Sequence, residues 1–106
     1  MKTYTDQVYS GTLAAAEATI ATIAENTTFI MKGILISNSN AADKFANIKV
    51  DDKRIVPNKA VPTKNSILIT FPDGGLPIPT GKTIKATGEV ANDLDYYIWG
   101  VNEVTS

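Results

Sequence analysis

The chain has 106 residues, 43% of them apolar, and ten basic residues against eleven acidic ones give a formal net charge of −1. That is enough for one domain with a modest core and too short for a catalytic and an accessory domain together. Histidine and cysteine are both absent, which excludes an imidazole base, Ser-His and Cys-His nucleophile pairs, thiolate or imidazole metal sites, and disulfides.

Valine, isoleucine and threonine supply 32 residues, and such stiff β-branched side chains suit a pleated surface better than a helix. The near balance of charge gives no reason to expect nucleic acid or a membrane surface as a partner. No run approaches the roughly eighteen apolar residues of a membrane span. The opening Met1 to Asp6 does not read as a signal peptide, so synthesis in a cytoplasm and no need for an oxidising compartment are expected.

In chain order, Lys2 to Thr12 alternates weakly and carries Tyr4, Val8 and Tyr9; residues 1–13 are either a first strand or an extended arm packing on a neighbour, ahead of a single domain over 14–106. Leu13 to Glu25 is ambiguous. Its alanines favour a helix, while Thr19, Ile20, Thr22 and Ile23 favour a strand and a good N-cap is lacking. Glu25-Asn26-Thr27 reads as a turn. Thr28 to Asn38 is apolar on both parities, so it is expected to lie centrally, with Gly33 a bulge that switches faces. After the Ser37 to Asn40 turn, Ala46, Ile48 and Val50 point one way and Asn47, Lys49 and Asp51 the other. Asp51-Asp52-Lys53 turns this strand into Ile55-Val56. Pro57 and Pro62 bracket a loop, Ile67, Ile69 and Phe71 share an inward face, and Pro77 and Pro79 mark an irregular or edge segment. Ile84, Ala86 and Gly88 alternate in another strand, and Tyr96 to Asn102 closes the series. The expected core is Ile30, Ile34, Ile36, Ile48, Val50, Ile67, Ile69, Ile84 and Ile98. Short strands with turns about every ten residues indicate a β-sandwich.

Candidate chemistry is sparse. Thr80-Gly81-Lys82-Thr83 invites comparison with a phosphate-binding loop, but Leu76 stands where its first glycine belongs and a strand follows where a helix should. Asp51/Asp52 are adjacent turn residues, not carboxyls facing across a cleft. Asp93 and Asp95 fall short of a Ca²⁺ loop and read as a solvated turn. Asn26-Thr27-Thr28 matches a glycosylation acceptor formally and is better read as a turn. In Tyr96-Tyr97-Ile98-Trp99, Tyr96 and Ile98 share one face and Tyr97 and Trp99 the other. One aromatic pair therefore faces a second core or an outer surface. Lys44 to Lys64 carries Lys44, Lys49, Lys53, Arg54, Lys59 and Lys64 against only Asp51 and Asp52, between acidic flanks. This basic middle is either a solvated surface or a contact for an acidic neighbour, another copy included, and the second would weaken steeply with salt.

The run from Ala18 to Asn38 resembles a pattern of small tailed-bacteriophage virion proteins, in which a strand ending in a corner is followed by N-T-T and a long apolar strand closing on S-N. Leu76 to Ala86 is similar to their proline-bearing L-x-x-G-D-x-I-x-A segment, and Ile98 to Glu103 to their closing I-x-G-x-E strand. Ala24 stands where proline is usual and Lys82 where aspartate is usual. The resemblance covers Ala18 to Glu103 and rests on corners and core positions. It implies an all-β fold, an antiparallel, jelly-roll-like β-sandwich of seven or eight short strands with an N-terminal arm. It further implies a homo-oligomer carried on the virion as a capsid decoration, head-fibre or tail-appendage component, without catalytic residues, cofactor or metal. It places Tyr97 and Trp99 on the outer side and favours a strand over Leu13 to Glu25. The expected contact residues are Tyr4, Val8, Tyr9, Tyr97 and Trp99, with Lys53 and Arg54 from the basic middle; the expected partners are further copies and other virion proteins, capsid or tail. The alternative is a module binding host-surface carbohydrate, with Tyr97 and Trp99 stacking on sugar rings.

Overall fold

The computed structural model describes residues 1–72, 74–88 and 94–105. It contains β1 (Lys2–Thr12), β2 (Ala18–Thr22), β3 (Thr27–Asn38), β4 (Lys44–Val50), β5 (Lys53–Val61), β6 (Asn65–Thr70), β7 (Leu76–Ile78), β8 (Thr83–Gly88) and β9 (Leu94–Thr105), with no helix among the described residues. The pairings nest: β1 with β9, β2 with β8, β3 with β7 and β6, and β4 with β5, all antiparallel. They are those of one long hairpin whose tip is Asp51-Asp52. Both tip residues have positive φ, 50° and 62°, the type I′ geometry whose twist matches that of the flanking strands.

Rolling that hairpin brings β9 beside β3 and β8 beside β4. Two sheets result: sheet A in the order β1-β9-β3-β6, with β7 also on β3, and sheet B in the order β2-β8-β4-β5. The antiparallel β-sandwich expected from the sequence is thus what forms, and its strand order is that of a jelly roll. Among the described residues nine strands stand where seven or eight were expected, because Leu76 to Ile78 pairs with Met31 to Phe29 in spite of Pro77. Residues 2–12 are a full strand of sheet A, and the Leu13 to Glu25 region supplies β2.

The bulge expected at Gly33 organises the core. Met31 pairs with Gly100 and Gly33 with Trp99, so Lys32 is an extra residue in β3. Phe29 and Met31 below it and Ile34 and Ile36 above it all face inward and are fully buried. The same switch corrects one expected core residue: Ile30 lies between two inward residues, faces outward and is only half-buried. Val50, Ile67 and Ile69 are partly buried and pack against the core, whereas Ile48, Ile84 and Ile98 are fully enclosed. Ala46, Val56, Val61 and Ala86 complete sheet B's inner face, and Leu13, Ile23, Ile78 and Leu94 join the same cluster.

Buried Asn38 ties the two sheets together at one rim. Its amide donates to Ala42 O and Val61 O, both at 2.9 Å, and its side-chain oxygen accepts from the Asn40 backbone at 2.8 Å. The molecule measures 49 × 24 × 19 Å. The long axis reflects the 11 and 12 residues of β1, β3 and β9, which exceed every strand of sheet B. The first half of β1 consequently runs past the core, and Lys2 through Asp6 are exposed.

Candidate contact surface on sheet A

The outward residues of sheet A follow from register and parity. Ser10, Tyr97, Leu35 and Leu68 form one row across β1, β9, β3 and β6, and Val8, Trp99, Gly33 and Thr70 form the next. Beyond the bulge come Asp6, Val101, Ile30 and Pro77. The middle of this face is apolar apart from Lys32 at the bulge, whose ammonium donates to Gly74 O at 2.7 Å. Its carboxylates, Asp6, Asp95 and Glu103, sit around it, and Glu103 is tied to Lys2 at 2.9 Å. Leu68 is 62% exposed, Tyr97 46%, Val8 41% and Leu35 37%. A contiguous apolar field with a polar margin is uncommon on a monomer and characteristic of a surface that meets something.

The aromatic pair is held by a glycine. Trp99 lies directly over Gly33, where an added Cβ would sit 2.6 Å from Cη2, 2.7 Å from Cε2 and closer still to Cζ2. Only a residue without a side chain lets the indole lie flat on the β3 backbone. Tyr97 stands beside it, ring centroids 6.1 Å apart and planes tilted by 43°. The expectation that Tyr97 and Trp99 face outward while Tyr96 and Ile98 face inward agrees with this arrangement; Ile98 is fully buried and Tyr96 partly so, its hydroxyl pushed to a higher pKa by burial.

The other expected contact residues divide. Tyr4, 59% exposed, and Val8 lie on the outer face of β1. Tyr9 has the opposite parity and corrects the expectation: its ring meets Phe29 edge-on at 5.2 Å and 81°, and burial raises its pKa. That packing requires Gly100, whose added Cβ would meet Phe29 Cε1 at 2.9 Å and Ile30 O more closely. Tyr9 is thus partly buried and packs against the core from the inner face of β1.

Lys53 and Arg54 lie on β5, the edge strand of sheet B. The outer face of sheet B is mostly charged, with Phe45 an exposed apolar side chain on it. Thr19, Lys85, Lys49 and Arg54 form one row across its four strands. Glu17 bridges Lys49 at 2.8 Å and Lys85 at 3.8 Å, and Asp52 reaches Lys85 at 3.4 Å. The Lys49 hydrogen bond holds the Glu17 carboxyl below its ordinary value, against a smaller opposing effect of burial. Part of the basic middle is therefore neutralised within the chain, while Lys53, Arg54 and Lys59 stay exposed along the sheet edge.

The remaining motifs are accounted for locally. Gly81 N donates to Ile23 O and Lys82 N to Pro79 O, at 2.9 and 3.2 Å, and the Lys82 ammonium pairs with Asp51 at 3.2 Å. The amides and cation that a phosphate would need are engaged. Asp95 is exposed on β9, and Asp93 lies outside the described residues. Among the described residues no group of three or more carboxylates is placed to hold a metal. A shallow cleft at the Asn38 rim, lined by Ser37, Asn38, Ser39, Lys64, Asn65 and Ser66, went unnoticed in the sequence because its parts come from two distant turns. Its lysine is already bonded to Ser39 O at 2.6 Å. Compared with known proteins, the sequence matches no family model and no curated protein.

Proposed function

We propose that the chain is a non-enzymatic structural protein of a tailed-bacteriophage virion, a capsid decoration or head-fibre component, that acts by burying the outer face of sheet A against other virion proteins and further copies. The observation that carries this reading is the asymmetry of the two outer faces. Sheet B presents a mostly charged, ion-paired surface with Phe45 its exposed apolar side chain, and sheet A presents Leu35, Leu68, Val8, Tyr97 and Trp99, with the Lys32 ammonium to one side and bonded to Gly74 O. The resemblance of Ala18 to Glu103 to small virion proteins supports the setting, and jelly rolls recur in viral capsid domains, an analogy of fold alone. A count of zero for histidine and cysteine fits a function that resides in surfaces. Immunogold labelling with an antibody against the chain tests the setting: labelled heads or tails support it, and unlabelled particles from cells that make the chain contradict it.

A second reading is favoured by one observation. Tyr97 and Trp99 stand side by side on the outer face of sheet A, the first exposed and the second partly so, aromatic faces of the kind on which sugar rings stack, and jelly rolls also serve as lectin domains. Calorimetric or glycan-array binding that Trp99→Ala abolishes would make host carbohydrate the partner of this face.

A further inference from the structure

The four sheet edges are not alike. β5 is interrupted by two register shifts, contains Pro57 and carries Lys53, Arg54 and Lys59. β2 has five residues and a register shift. The far edge of sheet A is split between β6 and β7, six and three residues long, with Pro77 in the second. Cationic side chains, proline, bulges and shortness are the devices that keep sheet edges from pairing with other chains. β1 is the least protected: it is 11 residues long, free of proline and in unbroken register with β9, with Asp6 the one charge along its middle. Its one lysine stands at its end and is tied to Glu103.

The backbone of that edge can be followed residue by residue. Leu13 N donates to Leu94 O at 2.8 Å, and Leu13 continues the β1–β9 register. In an antiparallel ladder hydrogen-bonded and non-hydrogen-bonded pairs alternate. The odd-numbered residues of β1 therefore bond to β9, and the N–H and C=O groups of Tyr4, Asp6, Val8 and Ser10 point to the open side, where the Val8 carbonyl accepts from the Gln7 side-chain amide at 3.1 Å. These are the residues whose side chains lie on the outer face.

We propose that β1 pairs antiparallel with β1 of a second copy, joining two sheets A into one. The register is set by avoiding facing carboxylates and by matching the apolar Val8 to its own copy; pairing centred on Tyr9 would place Val8 against Ser10. Pairing centred on Asp6 sets two carboxylates against each other, and pairing centred on Gln7 sets Asp6 against Val8. Centring on Val8 places Val8 opposite Val8, Asp6 opposite Ser10 and Tyr4 opposite Thr12, with no like charges facing. The row Thr70, Gly33, Trp99, Val8 then runs on into its own copy, and the apolar field doubles in width. The inference rests on the self-contact part of the proposed function, but not on any stacking of outer faces.

Three variants of the full chain test it. Ser10→Pro removes a donor from the open edge only, leaving the β1–β9 ladder and the apolar field intact. Light scattering should show the wild type at twice the mass of one chain and Ser10→Pro at the mass of one, with an unchanged thermal midpoint. Val8→Cys, the only cysteine in its chain, should oxidise to a covalent dimer, because facing Cα atoms lie about 5.5 Å apart. Ser10→Cys should not, because its copy lies four residues away along the seam, roughly 13 Å. A monomeric wild type, a folded Ser10→Pro that keeps the doubled mass, or cross-linking through Ser10→Cys in place of Val8→Cys overturns the proposal. Loss of the doubled mass in Trp99→Ala but not in Ser10→Pro overturns the seam and leaves the outer-face reading standing. Loss in Ser10→Pro alone supports the seam while removing the need for face-to-face contact.

Discussion

Replacing Gly33 by alanine separates the surface of this protein from its fold. The new methyl would stand 2.6 to 2.7 Å from two indole carbons of Trp99 and closer still to Cζ2, so the ring must retreat by more than about 1 Å to reach the ~3.5 Å at which carbon atoms rest. The obstacle is a side chain, partly exposed, that can swing outward. Losing the contact of one indole face, on the order of 50 Å², costs about 1 kcal/mol. The lower entropy of an unfolded chain with alanine offsets this by roughly 0.4–1 kcal/mol, leaving a net destabilisation under about 1 kcal/mol. The surface changes more than the stability, because the indole no longer lies flat. Trp99 is the single tryptophan, so its emission reports the event without labelling. The expected result is a red-shifted folded-state maximum with a urea midpoint close to wild type. An unshifted emission, or a loss of stability of several kcal/mol, would refute the placement of the ring over Gly33.

Gly100→Ala provides the contrast: its methyl meets the backbone of β3 at Ile30 O and the ring of Phe29. Relief requires moving a ladder strand, and a loss of about 3 kcal/mol or more in urea unfolding is expected. Asn38→Ala should lower stability by roughly 1–3 kcal/mol, since Val61 O loses a donor in a buried setting, and the deficit is checked by the same titration. Glu17 has its folded-state pKa lowered, chiefly by the hydrogen bond from Lys49. Its contribution to stability is full above the ordinary value of 4.5 and is lost as pH falls through the lowered folded value. Glu17→Gln should therefore flatten the acid limb of a melting-temperature profile while changing little near neutrality.

The legible part of the structure was what periodicity controls. Alternation in Ala46-Ile48-Val50 and Ile84-Ala86-Gly88 is the direct imprint of a half-buried strand, and a both-parity apolar run around Gly33 signals a face switch because no single parity can hold Phe29, Met31, Ile34 and Ile36 together. Tyr9 was misplaced for the complementary reason. Its segment alternates weakly, and whether Val8 or Tyr9 turns inward depends on the long-range β1–β9 register, which pairs Tyr9 with inward Ile98 and sets its ring against Phe29. Ile30 was assigned to the core because hydrophobicity does not say on which side of a bulge a residue falls. The apolar field was visible only through Tyr97 and Trp99; Leu35 and Leu68 join it through the β3–β6 pairing, a long-range register that no local pattern encodes. The contrast among edges was likewise hidden, since proline and lysine protect an edge only once the strand order says which strands are edges.

The central claim is that the outer face of sheet A is a contact surface, and binding of the chain to the particle on which it is proposed to sit tests it most directly. Co-sedimentation of the wild type and of a Tyr97→Ser/Trp99→Ser variant with virions assembled without the chain, with thermal unfolding as the check of folding, should find the first on the particles. The second keeps the open β1 edge and its self-pairing and should remain in the supernatant. A wild-type chain that stays in the supernatant, or a double variant that binds as the wild type does, would contradict the account.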